Sequence, residues 1–132
     1  MRDPLFRLVC TPAAIADAAD GWVTRLLESG ELGLIADGGG LGALTGAARA
    51  LDLVAVPLVR TEPDPAEQDQ TVMTYADGRA LVWIAPAFGE VARRWARERG
   101  PMTLLVESDG AVSDADRHRI ERFAAVLDRQ AE

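Results

Sequence analysis

Short apolar runs separated by amphipathic stretches set the tightest limit on what this chain can fold into. Phe6 to Cys10, Leu32 to Ala36 and Val54 to Val59 are each too short for a helix and too apolar for a surface loop, so each reads as a buried strand. Pro57 interrupts the third and suggests a bulge or an edge position. Between the first two strands, Ile15, Ala19, Trp22, Val23 and Leu26 fall at the spacing of one buried helical face. Thr11-Pro12 suits the start of that helix, and Gly30, just past Ser29, offers a left-handed stop. A second helix is expected from about Leu41 to Leu51. Strand, helix, strand, helix, strand is the rhythm of parallel crossover units.

The second half reads differently. Thr61 to Gln70 is acidic and proline-containing and reads as a long loop. Thr71 to Tyr75 and Ala80 to Ile84 then flank Ala76-Asp77-Gly78-Arg79, and Asp-Gly between β-formers predicts an antiparallel hairpin over 71–84. A third helix is expected from about Ala87 to Arg99, burying Phe88, Val91, Ala92 and Trp95, with a stop at Gly100-Pro101. Met102 to Val106 gives a last strand. Ser113-Asp114-Ala115-Asp116 resembles a capping box, and Ile120, Phe123, Ala124 and Leu127 mark the buried face of a final helix. The expected fold is therefore α/β, a mixed sheet of five or six strands with about four helices, and an α+β two-layer sandwich is the alternative.

Composition decides between one domain and two. The 132 residues are 48% hydrophobic, enough for one proper core, whereas division at the acidic loop would leave each half marginal. Residues 1–132 are expected to form a single domain. No apolar run approaches the roughly 18 to 20 residues needed to span a bilayer, and the charged, proline-containing start does not suit a secretory signal. The lone Cys10 excludes an internal disulfide, so a cytoplasmic setting is expected. A net charge of −7 argues against nucleic acid and anionic membranes as partners. All 14 basic residues are arginine, and the absence of lysine removes Walker-type phosphate loops, Schiff-base chemistry and lysine general bases.

Two constellations could carry chemistry. Asp37-Gly38-Gly39-Gly40-Leu41-Gly42 lies between a strand and a helix, a geometry that can cradle phosphate, with Arg60 and Glu62 roughly 20 residues further on where dinucleotide folds read the ribose. The plainer reading is a tight turn, and Asp37 would repel phosphate. Asp37, Glu107 and Asp109 end strands, and they could share a crevice for a metal ion or acid–base work if the first, second and last strands lay side by side. Solvated loop acids are the competing reading.

The remaining candidates are weaker. Cys10 and His118 are too few for zinc by Cys/His ligation, and a catalytic pair of the two would lack an orienting third group. Arg93, Arg94, Arg97 and Arg99 crowd the third helix and could receive an acidic partner, although Glu90 and Glu98 invite intrahelical pairing. Trp22, Trp83 and Trp95 fall on expected core positions. Asp109 to Leu127 resembles the last turn and helix of ligand-sensing GAF domains, a stretch too short and generic to assign a family.

No complete catalytic set emerges, and no cofactor or metal is called for. The expectation is a non-catalytic module that binds a protein partner or small ligand, with a homo-oligomer as an open option and Gly38, Gly39, Gly40, Gly42 and Arg60 as ligand-binding candidates. The alternative is a small nucleotide- or metal-dependent enzyme using the glycine-rich turn at 37–42, with Asp37, Glu107 and Asp109 as its reacting carboxylates.

Overall fold

The computed structural model describes residues 4–15, 21–35, 42, 46, 49 and 58–131. Its strands are Phe6–Cys10 (β1), Gly30–Ile35 (β2), Leu58–Val59 (β3), Ala80–Ala85 (β4) and Thr103–Glu107 (β5). Its helices with described bounds are Trp22–Leu26 (α1), Pro65–Ala76 (α2), Glu90–Arg99 (α3) and Asp114–Ala131 (α4). The strands form one five-stranded sheet in the order β3-β2-β1-β4-β5, and every pairing in it is parallel.

Parallel strands are covered on both faces, which explains why the runs are apolar throughout rather than alternating. Phe6, Leu8 and Cys10 of β1, with Leu32, Leu34, Val82, Ile84 and Val106, meet Trp22, Val23 and Leu26 of α1 and Ile120 and Ala124 of α4. The opposite face brings Val9, Leu81 and Trp83 against Val72 and Ala76 of α2 and Phe88 and Ala92 beside and on α3. The helices divide this way because β2 and β3 are added on one side of β1, while β4 and β5 are added on the other. Crossovers of constant right-handedness must then place their helices on opposite faces.

The antiparallel hairpin expected over 71–84 does not form, and with it the mixed sheet and the two-layer alternative fall away. Thr71 to Tyr75 belongs to α2, and Ala80–Ala85 is the parallel neighbour of β1 and β5. Helix formation is set further upstream, where the Asp64 side chain accepts a hydrogen bond from Ala66 N at 2.8 Å and Pro65 occupies the first turn. Asp77 at φ 48° and Gly78 at φ 77° both lie in the left-handed region. A type I′ hairpin turn needs two such residues, but a helix C-terminus uses left-handed backbone equally well. The dipeptide reports its own geometry and not what precedes it.

Smaller corrections have local causes. The long first helix is a 3-10 turn at Pro12–Ile15 followed by α1, whose N-cap Gly21 is left-handed at φ 80°, and residues 16–20 lie outside the described set. Gly30 is no helix stop: it opens β2 opposite Phe6, where an added Cβ would stand 2.5 Å from the Phe6 ring. Phe6 is flanked on its other side by Ala80, so small residues on both neighbouring strands make room for one fully buried ring. Val91, expected in the core, is 63% exposed, and Ala96 is buried in its stead. The final helix starts as read, with Asp116 N donating to Ser113 Oγ at 3.2 Å. Gly42, Gly46 and Arg49 are helical, as the second-helix reading requires of them, and the rest of 41–51 lies outside the described residues. β3 stands at the sheet edge, in keeping with the proline beside it.

Arginine ties the amino-terminal end of the sheet together. Arg7 donates to the Tyr75 carbonyl and lies 4.6 Å from the centre of the Tyr75 ring, with Glu31 3.8 Å from its Nε. Arg79 donates to Pro4 O at 3.0 Å, and Arg99 donates to Arg79 O while covering the Trp95 ring at 4.4 Å. A flat, multi-donor guanidinium suits such carbonyl and ring contacts better than an ammonium would.

Candidate functional site

An open parallel sheet receives ligands beyond the carboxyl ends of its strands, at the point where the strand order reverses. That point lies between β1 and β4, because the chain leaves β1 outward to β2 and β3 and then returns to place β4 on the other side. On the α1 and α4 face the opening is covered by the chain itself. Ser108 N donates to Ala85 O at 2.9 Å and Val112 N to Ala14 O at 3.2 Å, laying the turn after β5 across to the 3-10 turn after β1.

The α2 and α3 face is different. A cleft of about 740 Å³ lies there between the N-terminal part of α2 and the segment joining β4 to α3. Asp64, Pro65, Ala66, Asp69, Gln70 and Met73 line one side, and Ala87, Phe88, Gly89, Glu90 and Val91 the other. The volume is that of a small-molecule site. Phe88 is held by edge-on contact with Trp83 at 5.0 Å between ring centres, so the apolar wall rests on the sheet itself.

Asp69 is the polar feature of the cleft. Its Oδ2 accepts from Gly89 N, the N-cap residue of α3, at 3.2 Å, so one carboxylate on α2 docks the start of the next helix. Partial burial pushes its carboxyl above the ordinary aspartate range, and the Gly89 hydrogen bond only partly offsets this. Asp64 is spent in the same manner on Ala66 N.

A second cleft, about 640 Å³, lies between the end of β3 and α2 and includes Arg60, Glu62, Gln70, Thr71 and Thr74. Its polar groups mostly satisfy one another. Arg60 pairs with Glu62, Thr71 Oγ1 donates to Glu62 Oε1 at 3.0 Å, and Gln68 bridges Glu62 N and Arg60 O at 2.8 and 3.0 Å. Hydrogen bonds from Arg60 and Thr71 hold the Glu62 carboxyl below its usual range. The arrangement closes the turn into α2 rather than leaving groups for a ligand.

None of the described residues singled out from sequence as site candidates lines the first cleft. Asp37, Gly38, Gly39 and Gly40 lie outside the described residues. Gly42 is exposed and helical, and among the described residues nothing comes within 4 Å of where a Cβ would stand. Arg60 is exposed and paired. Glu107 is exposed at the end of β5 and pairs with Arg93, while Asp109 is exposed in the following turn. The first, second and last strands do not lie side by side, because β4 stands between β1 and β5, which puts β2 and β5 about 14 Å apart. Among the described residues no group of three or more His, Cys, Asp or Glu side chains is arranged to hold a metal ion.

Cys10 is fully buried, and burial pushes its thiol up to about 12, whereas His118 is exposed on α4. The arginines of α3 are partly committed: Arg93 to Glu107 and Phe88 O, Arg99 to Trp95 and Arg79 O. Trp22 and Trp83 are core, as expected, and Trp95 is half-buried.

Sequence reading missed the first cleft because it placed Ala66, Asp69 and Gln70 in a loop and Met73 in a strand. Read as a helix, the same residues recur at i, i+3, i+4 and i+7 and define one face. No helix among the described residues is long and apolar enough to cross a membrane. No family model, curated protein or solved structure matches the chain, so the short likeness at 109–127 gains no support and function must be argued from this site alone.

Proposed function

We propose that this chain is a non-catalytic module that binds a small ligand in the cleft between α2 and the β4–α3 connection. The observation that carries the reading is the cleft's composition and place: an apolar wall of Met73, Phe88 and Val91 around one partly buried carboxylate, Asp69, beside the reversal point of the sheet. Val91 supports it further, since an apolar side chain 63% exposed at the rim gains by being covered. The enzyme alternative has less behind it, because Glu107 is paired with Arg93 and the strand order separates β2 from β5.

A thermal-shift screen against nucleotides, divalent metals and common metabolites tests the proposal, since a ligand present at about 100 times its Kd stabilises by about 2.7 kcal/mol. Val91→Trp should fill the mouth of the cleft and abolish the shift while leaving the unliganded melting temperature nearly unchanged. A ligand whose binding survives Val91→Trp, or a screen in which nothing raises the melting temperature, would remove the reading.

A further inference from the structure

We infer that the cleft between α2 and the β4–α3 connection takes an organic cation, an ammonium or guanidinium group carried on an apolar body. The inference rests on the cleft being the binding site and goes on to name the ligand's chemistry.

Charge complementarity carries it. Asp64, Asp69 and Glu90 line the cleft, no arginine lines it, and the chain contains no lysine. Arg93, on the same helix as Glu90 and Val91, bonds to Phe88 O and to Glu107 at the end of β5. Two helices begin at this cleft, and a helix N-terminus ordinarily draws an anion. Each start has one donor already bound by a carboxylate of the chain, Asp64 at Ala66 N and Asp69 at Gly89 N, although no side chain caps the first turn of α3. Whatever donors remain there, an incoming phosphate or carboxylate would face three negative side chains.

A cation meets the opposite situation. Asp69 uses one oxygen toward Gly89, and a carboxylate can accept several hydrogen bonds, so acceptor capacity is left facing the cleft. Its carboxyl is raised by desolvation with no cation among the causes, so ionising it costs free energy that a bound ammonium would offset. Met73, Phe88 and Val91 supply the surface for the apolar body, and a bare metal ion would leave that wall unused.

The full-length chain is titrated with phenethylamine, with phenethyl alcohol as its neutral counterpart and with hydrocinnamate as its anionic one, following the backbone amide shifts of Asp69, Gly89 and Val91. The amine should bind about tenfold or more tighter than the alcohol, the size of one charge-assisted hydrogen bond, and the carboxylate should move none of these amides. Asp69→Asn keeps an acceptor for Gly89 N–H and removes the charge. It should bring the amine down to the alcohol's affinity, leave the alcohol unchanged, and leave the melting temperature equal or higher. If the alcohol or the carboxylate binds at these amides as well as the amine does, the inference of a cation fails while the cleft stands as the site. If no probe moves them, the inference also fails, and the cleft is then judged by whether Val91→Trp blocks a hit from the wider screen.

Discussion

Alkaline pH should destabilise this protein chiefly through one buried thiol. Cys10 is the terminal residue of β1, fully buried among Leu8, Leu34, Ile15 and Val23, and desolvation raises its pKa from 9.0 to about 12. Between those values the folded chain keeps the proton and the unfolded chain releases it. The unfolded state then binds fewer protons, so stability is complete below 9.0 and falls as pH rises toward 12. At about pH 10 the loss is about 1.4 kcal/mol, one pKa unit's worth, and the melting temperature should drop by about 4 to 6 °C. The background is small because the chain has no lysine; burial lowers the Arg99 guanidinium, which acts in the opposite direction at the top of the range. The chain's one tyrosine, Tyr75, is raised first by burial and then by Glu31, and so acts in the same direction as Cys10. Urea unfolding followed by tryptophan fluorescence, at about pH 8 and about pH 10, measures the slope in a Tyr75→Phe background. Cys10→Ala should lower stability by a pH-independent amount and flatten the slope. An unchanged alkaline loss in Cys10→Ala would refute the reasoning, as would modification of the native thiol at the rate of an unfolded chain.

Two further substitutions test the packing and the helix start. Gly30→Ala would place a methyl group 2.5 Å from the fully buried Phe6 ring and should destabilise by about 1 to 3 kcal/mol in denaturant unfolding. Phe6→Leu should remove most of that penalty in a double-mutant cycle, and additive effects would show that the clash is relieved elsewhere. Asp64→Ala removes the side-chain acceptor of Ala66 N and should cost about 1 kcal/mol, read as a lower urea midpoint at unchanged slope. No loss would mean that the cap does not set the start of α2.

How much of the site could be read from the chain depends on which element each residue was assigned to. Phe88 reads as buried and is buried, but its partners across the cleft are not legible, because Asp69 and Met73 read locally as loop and strand. Thr71-Val72-Met73-Thr74-Tyr75 favours β structure locally, yet Val72 and Ala76 are i, i+4 neighbours that both reach the core from α2. Asp64-Pro65 can start a helix, yet in the sequence it reads as part of an acidic loop ahead of the Asp77-Gly78 turn signal. Glu107 was correctly placed at the end of a strand, but the sequence could not say that Arg93 would claim it.

Local chemistry by itself determined the apolar strands of the sheet, the buried stripe of α4 and the cap at Ser113, and it left Pro57 as either a bulge or an edge. Each of these follows from contacts within a few residues or from simple periodicity. Only tertiary structure decided that the sheet is wholly parallel, that β1 and β4 adjoin with the order reversing between them, and that the N-termini of α2 and α3 meet around Asp69. Strand order is a matter of which long connection crosses which face, and its energetics reside in packing between residues some 70 positions apart, such as Phe6 and Ala80. A sequence records such a partnership only as two apolar runs, each able to pair with any other.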